Sequence, residues 1–161
     1  MKDKILVAYF SASHVTEGYA NILADIMKSK IFKIEPKEPY TEEDLDWTNK
    51  NSRSTIEMHD LSSRPEILNK VENFDEFDTI FLGFPIWWYV APRIINTFLE
   101  SYDFSNKKII LFATSGSSNF GRTTMFLKDS VSKDANIIEG KILNRMSPES
   151  IIKWVESLDI L

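Results

Sequence analysis

Three unbroken apolar runs punctuate the chain: Lys4–Phe10 (KILVAYF), Asp78–Pro85 (DTIFLGFP) and Lys108–Thr114 (KIILFAT). None alternates with polar positions, which is the pattern of strands buried on both faces of a parallel sheet. Pro85 is expected to stop the second run, because proline has no N–H to give a ladder. Lys30–Glu35 (KIFKIE) does alternate and reads as a shorter strand near an edge. Asn136–Glu139 is a short fifth candidate. Between these runs the apolar positions switch to helical spacing. Tyr19, Ile22, Leu23, Ile26 and Met27 form one stripe within Thr16–Ser29. Ile94, Ile95, Phe98 and Leu99 form another, in a helix expected to have Pro92 as its first residue and to end near Tyr102. Met125, Phe126 and Val131 mark the next. The last carries Ile151, Ile152, Trp154, Val155 and Leu158, opened by Ser147 as N-cap, Pro148 at the first helical position and Glu149 in the first turn.

Pro36–Asn73 breaks this regularity. It is long, polar and carries three prolines, Pro36, Pro39 and Pro65. Thr41 followed by Glu42, Glu43 and Asp44 reads as a helix start, and Asn51–His59 as a short helix. Trp47 is read as a plug into the core edge rather than a ligand contact, and Arg53 as a solvated charge. Alternating strands and helices over the whole chain predict an α/β fold: one domain, residues 1–161, with a parallel sheet covered by helices on both faces.

Composition narrows the chemistry. The chain has 161 residues, 43% of them hydrophobic, enough for a filled core. With no cysteine, thiolate nucleophiles, disulfides and iron–sulfur ligation are out. With only His14 and His59, so is a zinc site built on several histidines. A net charge of −5 argues against nucleic acid or an anionic membrane as partner and favours a basic protein surface. No apolar run approaches the roughly 20 residues of a membrane span, and the first apolar run is too short for a secretion signal. A cytoplasmic protein, monomeric or weakly dimeric, is the expectation.

The unusual residues sit just after strands. Ser11, Ala12, Ser13, His14, Val15 and Thr16 link a strand to a helix, where free N–H groups and the helix dipole can hold an anion. The simpler alternative makes Ser13 or Thr16 an N-cap only. Pro85, Ile86, Trp87, Trp88 and Tyr89 follow the second run. Three consecutive aromatics cannot share one core, so some must line a cleft suited to a flat ligand. Ser115, Gly116, Ser117, Ser118, Asn119, Phe120 and Gly121 form a small-residue loop after the third run. In open parallel sheets ligands bind at the carboxyl ends of strands, so the three loops are expected to meet at one crevice.

On these residues the chain resembles the flavodoxin family, especially its short-chain members. YFSAS at Tyr9–Ser13 is similar to the family's strand and phosphate loop. LGFPIWWYVAPRIINTFLE at Leu82–Glu100 is similar to the loop and helix on one side of the flavin. TSGSSNFGR at Thr114–Arg122 is similar to the second flavin loop, and EPYTEEDLDWTNKNSR to a subgroup insertion. The resemblance implies a flavodoxin-like, doubly wound, five-stranded parallel sheet of order 2-1-3-4-5 in three α/β/α layers. It also implies one non-covalent FMN. Ser11, Ser13 and Thr16, with the backbone of Ala12–Thr16, would cradle its phosphate. Pro85, Ile86, Trp87, Trp88 and Tyr89 would lie along the ring, and Ser115, Gly116, Ser117 and Gly121 would close the other side. Two departures stand out: His14 replaces a glycine and Val15 an asparagine of the usual S-x-T-G-N-T loop. His14 could compensate by pairing with the phosphate. Many relatives also have glycine where Tyr89 stands.

The function implied is an FMN-binding electron carrier with a redox partner protein, in which no side chain acts as a catalyst. An FMN-dependent NAD(P)H oxidoreductase acting on quinones is the enzyme alternative. A fold that has lost flavin and serves as a binding module is the third.

Overall fold

The computed structural model describes residues 4–160. The elements run β1 (Ile5–Tyr9), α1 (Val15–Met27), β2 (Lys30–Lys33), α2 (Arg53–Met58), β3 (Thr79–Pro85), α3 (Arg93–Glu100), β4 (Lys108–Thr114), α4 (Thr123–Lys128), β5 (Asn136–Ile142) and α5 (Pro148–Ser157). The strands form one five-stranded sheet in the order β2-β1-β3-β4-β5, and every neighbouring pair is parallel. This is the doubly wound order that the resemblance implied.

The pleat sorts each central strand between two cores. Leu6, Ala8, Ile80, Leu82 and Phe84 face one side, where Ile94, Ile95 and Phe98 of α3 and Leu127 of α4 cover them. Ile5, Val7, Phe81, Ile110 and Phe112 face the other, under Leu23 and Met27 of α1 and Ile151 and Val155 of α5. Helices therefore flank both faces, and the sheet's carboxyl edge is left to the loops.

Several expected boundaries move. The stop at Pro85 does not: it is the last residue of β3, paired with Thr114, and there its missing N–H interrupts no further ladder. Pro92 is the N-cap of α3 rather than its first residue, with φ −58° and ψ 150°. Its φ suits either position, and the extended ψ decides. That helix ends at Glu100, short of Tyr102. The helix expected after Thr41 is only a turn, held by the Thr41 N–H to Asp44 Oδ2 (3.0 Å) and the Asp44 N–H to Thr41 Oγ1 (3.1 Å). β5 runs past Glu139 to Ile142, with a register shift opposite Leu111 and Phe112. Gly140 sits at that shift, where a Cβ would lie 2.0 Å from the Leu111 carbonyl oxygen. The glycine just past the expected end at Glu139 is therefore a bulge inside the strand.

Candidate functional site

The chain leaves β1 at Phe10, whose N–H is taken by the Gly83 carbonyl (2.9 Å). From Ser11 to Thr16 no backbone N–H donates to another described residue. The run ends at the N-terminus of α1, where the unpaired amides and the helix dipole make a positive rim. His14 is the N-cap, in the left-handed region at φ 68°. This is where a glycine would sit without strain, and histidine is among the residues that tolerate it. Neither Ser13 nor Thr16 caps the helix. Ser11 Oγ instead accepts the Glu17 N–H (3.2 Å). Thr16 is buried, and its hydroxyl is 2.7 Å from that of Thr114. Its contribution to the rim is therefore its backbone N–H. Val15 is 46% exposed beside it.

Glu17 anchors this loop. Its Oε2 accepts the Tyr9 hydroxyl (2.8 Å) and lies 3.2 Å from Lys33 Nζ, while its Oε1 lies 3.2 Å from His14 Nδ1. The hydrogen bond from Tyr9, then those from His14 and Lys33, hold the carboxyl down to about 2. Burial and the same carboxylate push the Tyr9 phenol well above its ordinary range.

Pro85–Ala91 turns back tightly. The Trp87 N–H donates to the Val90 carbonyl (2.9 Å) and the Val90 N–H to the Trp87 carbonyl (3.1 Å). Trp88 and Tyr89 between them have φ 48° and 66°. Two successive positive φ values define a type I′ turn, normally built from Asn-Gly. Two bulky aromatics there store backbone strain of about 1–3 kcal/mol each. The turn makes the three aromatics diverge. Trp87 points into a cluster, edge-on to Phe10 (5.8 Å) and Tyr40 (5.5 Å). Trp88 is half-buried, with its edge toward His59 (6.0 Å). Tyr89 is 68% exposed. Ile86 and Pro85 are half-buried at the base of the loop.

Two expectations for the polar segment fail here. Trp47 is 73% exposed and plugs nothing; with Ile86, Trp87 and Trp88 it lines an open cavity of about 200 Å³. Arg53 is not a solvated charge. Its guanidinium lies 3.8 Å over the Tyr40 ring and its Nε donates to Glu57 Oε2 (2.9 Å). Glu57 in turn accepts the Tyr40 hydroxyl. A segment poor in apolar residues is thus fixed by charge and cation–π contacts.

The third loop is tied from below. Ser115 is buried; its N–H donates to Asn144 Oδ1 (3.0 Å), and Asn144 Nδ2 donates back to its carbonyl (2.8 Å). Gly116 and Ser117 are exposed at the crest, and a Cβ on Gly116 would meet nothing. Gly121, at φ +55°, lies against Tyr89.

The three loops do meet, and Thr114 is their hub. Its hydroxyl bonds to Thr16, its carbonyl accepts the Ile86 N–H (2.9 Å), and Ser115 continues from it. Sequence reasoning has Thr114 as a strand end and as the first residue of the second flavin loop, not as a junction, and names none of Glu17, Tyr40, His59 and Asn144 as a site residue. Only Tyr40 carried a signal, as an aromatic in a polar stretch. Among the described residues no group of three or more His, Cys, Asp or Glu is placed to hold a metal ion. None of the described helices is long and apolar enough to cross a membrane.

Known proteins share this fold. A provisionally named flavoprotein of Bacteroides eggerthii DSM 20697 is 44% identical and superposes with a TM-score of 0.91, over 98% of this chain and 99% of that one. The flavoprotein of Lactobacillus acidophilus NCFM, solved in complex with FMN, is 21% identical, with a TM-score of 0.69 over 95% and 99% of the two chains; it attests the fold. The uncharacterized NAD(P)H oxidoreductase YcaK of Escherichia coli K12 is 34% identical over 59 residues, which are 37% of this chain and 26% of that protein. In that match the chain spans about a quarter of the curated relative's length. The Flavodoxin family model matches residues 4–158, nearly everything described, and the chain belongs to the flavodoxin family.

Proposed function

We propose that this protein binds one FMN without a covalent link and works as a small electron-transfer protein. The observation that carries this reading is the junction at Thr114, which joins a rim of unpartnered amides to a wall of aromatics. A phosphate fits the first, because it needs donors and the rim has no other acceptor to serve. An isoalloxazine fits the second. The backbone amides of Ala12, Ser13, His14, Val15 and Thr16 would hold the phosphate, with the Ser11 and Ser13 hydroxyls as further donors. Pro85, Ile86, Trp87, Trp88 and Tyr89 would lie along the ring. Ser115, Gly116, Ser117 and Gly121 would close the opposite side, where the bare crest at Gly116 admits close approach. FMN supplies the redox chemistry.

The chain's own work is to bind, orient and keep water out. Apolar walls disfavour added negative charge near the ring, which lowers the potential at which electrons are accepted. A net charge of −5 suits docking on a basic redox partner. The absence of cysteine fits a reducing, cytoplasmic setting. The FMN complex of the L. acidophilus relative and membership in the family support the cofactor. The test is an absorption spectrum of the purified protein after adding FMN and during stepwise reduction, with quenching of flavin fluorescence to give the affinity. Failure to take up FMN would leave a fold that serves as a binding module.

The YcaK match favours a second reading, an NAD(P)H oxidoreductase whose open aromatic cleft admits a quinone. Steady NADH or NADPH oxidation with a quinone acceptor separates the two. Turnover well above that of free FMN would make the protein an enzyme; turnover no faster than free FMN leaves the carrier.

A further inference from the structure

We infer that Glu17 is a positioning residue for the anion rim, acting through His14 on ligands that carry a phosphomonoester. The inference rests on the FMN reading and concerns how the rim keeps its shape.

A carboxylate three residues into α1 is unexpected beside a cradle meant for a dianion. Like charges repel, and both would draw on the same helix dipole. The geometry resolves the conflict. Lys33 from β2 and the Tyr9 hydroxyl from β1 take one oxygen, so the charge is matched on the side of the sheet. The other oxygen meets His14 Nδ1 at 3.2 Å. The same residue's backbone N–H ends on Ser11 Oγ. One residue therefore ties both flanks of the rim, Ser11 and His14, to two strands. This matters because His14 holds a left-handed conformation that a side chain makes costly. His14 is otherwise exposed, and Glu17 is the only described side chain bonded to its ring. The His14 carbonyl accepts the Gly18 N–H (3.2 Å), which holds the backbone on the helix side; the Glu17 bond is the one described side-chain contact that holds the ring, and losing it loosens the direction the amides share.

The bond also assigns the ring. A carboxylate only accepts, so Nδ1 carries a proton, and in the neutral ring Nε2 is the free nitrogen. Glutamine at position 17 keeps the size but can donate as well as accept, so it no longer dictates the tautomer.

The experiment measures FMN and riboflavin dissociation constants for wild type, Glu17→Gln, His14→Gly and the double variant. Riboflavin lacks the phosphate. Glu17→Gln is expected to weaken FMN about tenfold, the low end for an outer partner of a binding group, and to leave riboflavin unchanged. In the His14→Gly background the same change is expected to cost less than about threefold, since the turn no longer needs fixing. Imidazole ¹⁵N shifts should show the Nδ1–H form in wild type and a mixture in Glu17→Gln, with or without flavin. Equal losses for FMN and riboflavin would make Glu17 merely structural and overturn the inference, as would an unchanged FMN constant or an unchanged tautomer. A wild-type protein that binds neither flavin removes the functional reading and this inference together.

Discussion

Thr16 and Thr114 lie 98 residues apart in the chain, yet their hydroxyl oxygens are 2.7 Å apart in the buried seam between the first and third loops. Both are nearly inaccessible, at 2% and 4% exposure. Thr16→Val would leave the Thr114 hydroxyl without its partner in a dry site, at a cost of about 1–3 kcal/mol. Thr114→Val should cost a similar amount. The double variant should recover most of it, because valine matches threonine in shape and no orphan remains. Urea unfolding of the four proteins checks this. Additive losses would mean that the pair does not act as a unit.

Gly121 and Gly116 make a matched comparison within one loop. A Cβ on Gly121 would stand 2.5 Å from the Tyr89 carbonyl oxygen and 3.1 Å from the Tyr89 Cβ, at φ +55°. Gly121→Ala is therefore expected to lower stability by about 1–3 kcal/mol, from the left-handed backbone and the displaced turn together. Gly116→Ala meets open space and should stay within about 0.5 kcal/mol of wild type. Thermal or urea denaturation separates the two.

The central strands were legible because burial on both faces leaves an unbroken apolar run, as at Ile80–Phe84. Their carboxyl ends were legible for the same reason: the run stops and the loops that meet at Thr114 begin. What escaped were contacts with no periodic signature. Nothing local marks Thr16 and Thr114 as partners. Arg53 looked solvated because its partners, Tyr40 and Glu57, act through a ring face and a carboxylate that no hydrophobic pattern reports. Trp47 looked like a plug because indole usually finds a core. The continuation of β5 past Glu139 was hidden by the bulge at Gly140, which breaks the strand's period.

Acid should expose the Glu17 network. The carboxyl sits at about 2 in the fold and returns to its ordinary 4.5 in the unfolded chain. As pH falls, the unfolded state therefore takes the proton first. The stabilisation is complete above about pH 4.5 and is lost on descending toward about pH 2. The side chain is 25% exposed, so solvent screening reduces the effect to about 1–2 kcal/mol. Wild type should exceed Glu17→Gln in stability at neutral pH, and the gap should close across that window. A gap that stays constant down to the acid limit would assign the stability to packing instead.

Trp87 and Trp88 are neighbours with different duties, and alanine should tell them apart. Trp87 packs edge-on against Phe10 and Tyr40, so Trp87→Ala removes cluster contacts and should cost about 2–4 kcal/mol of stability. Trp88 touches only the rim of His59 among aromatic rings and holds a strained φ of 48°. Trp88→Ala should therefore cost little stability, but should weaken FMN by about 1–3 kcal/mol if the indole is a stacking wall. Trp88→Gly sharpens the comparison. It removes the same wall and relieves the left-handed backbone, which is worth about 1–2 kcal/mol before the entropy glycine adds to the unfolded chain. The glycine variant should thus be at least as stable as the alanine variant and bind FMN equally poorly. If FMN affinity instead followed stability across the three variants, the turn and not the indole would be shaping the pocket. An FMN constant unchanged in both Trp88 variants would move the ring off this wall altogether.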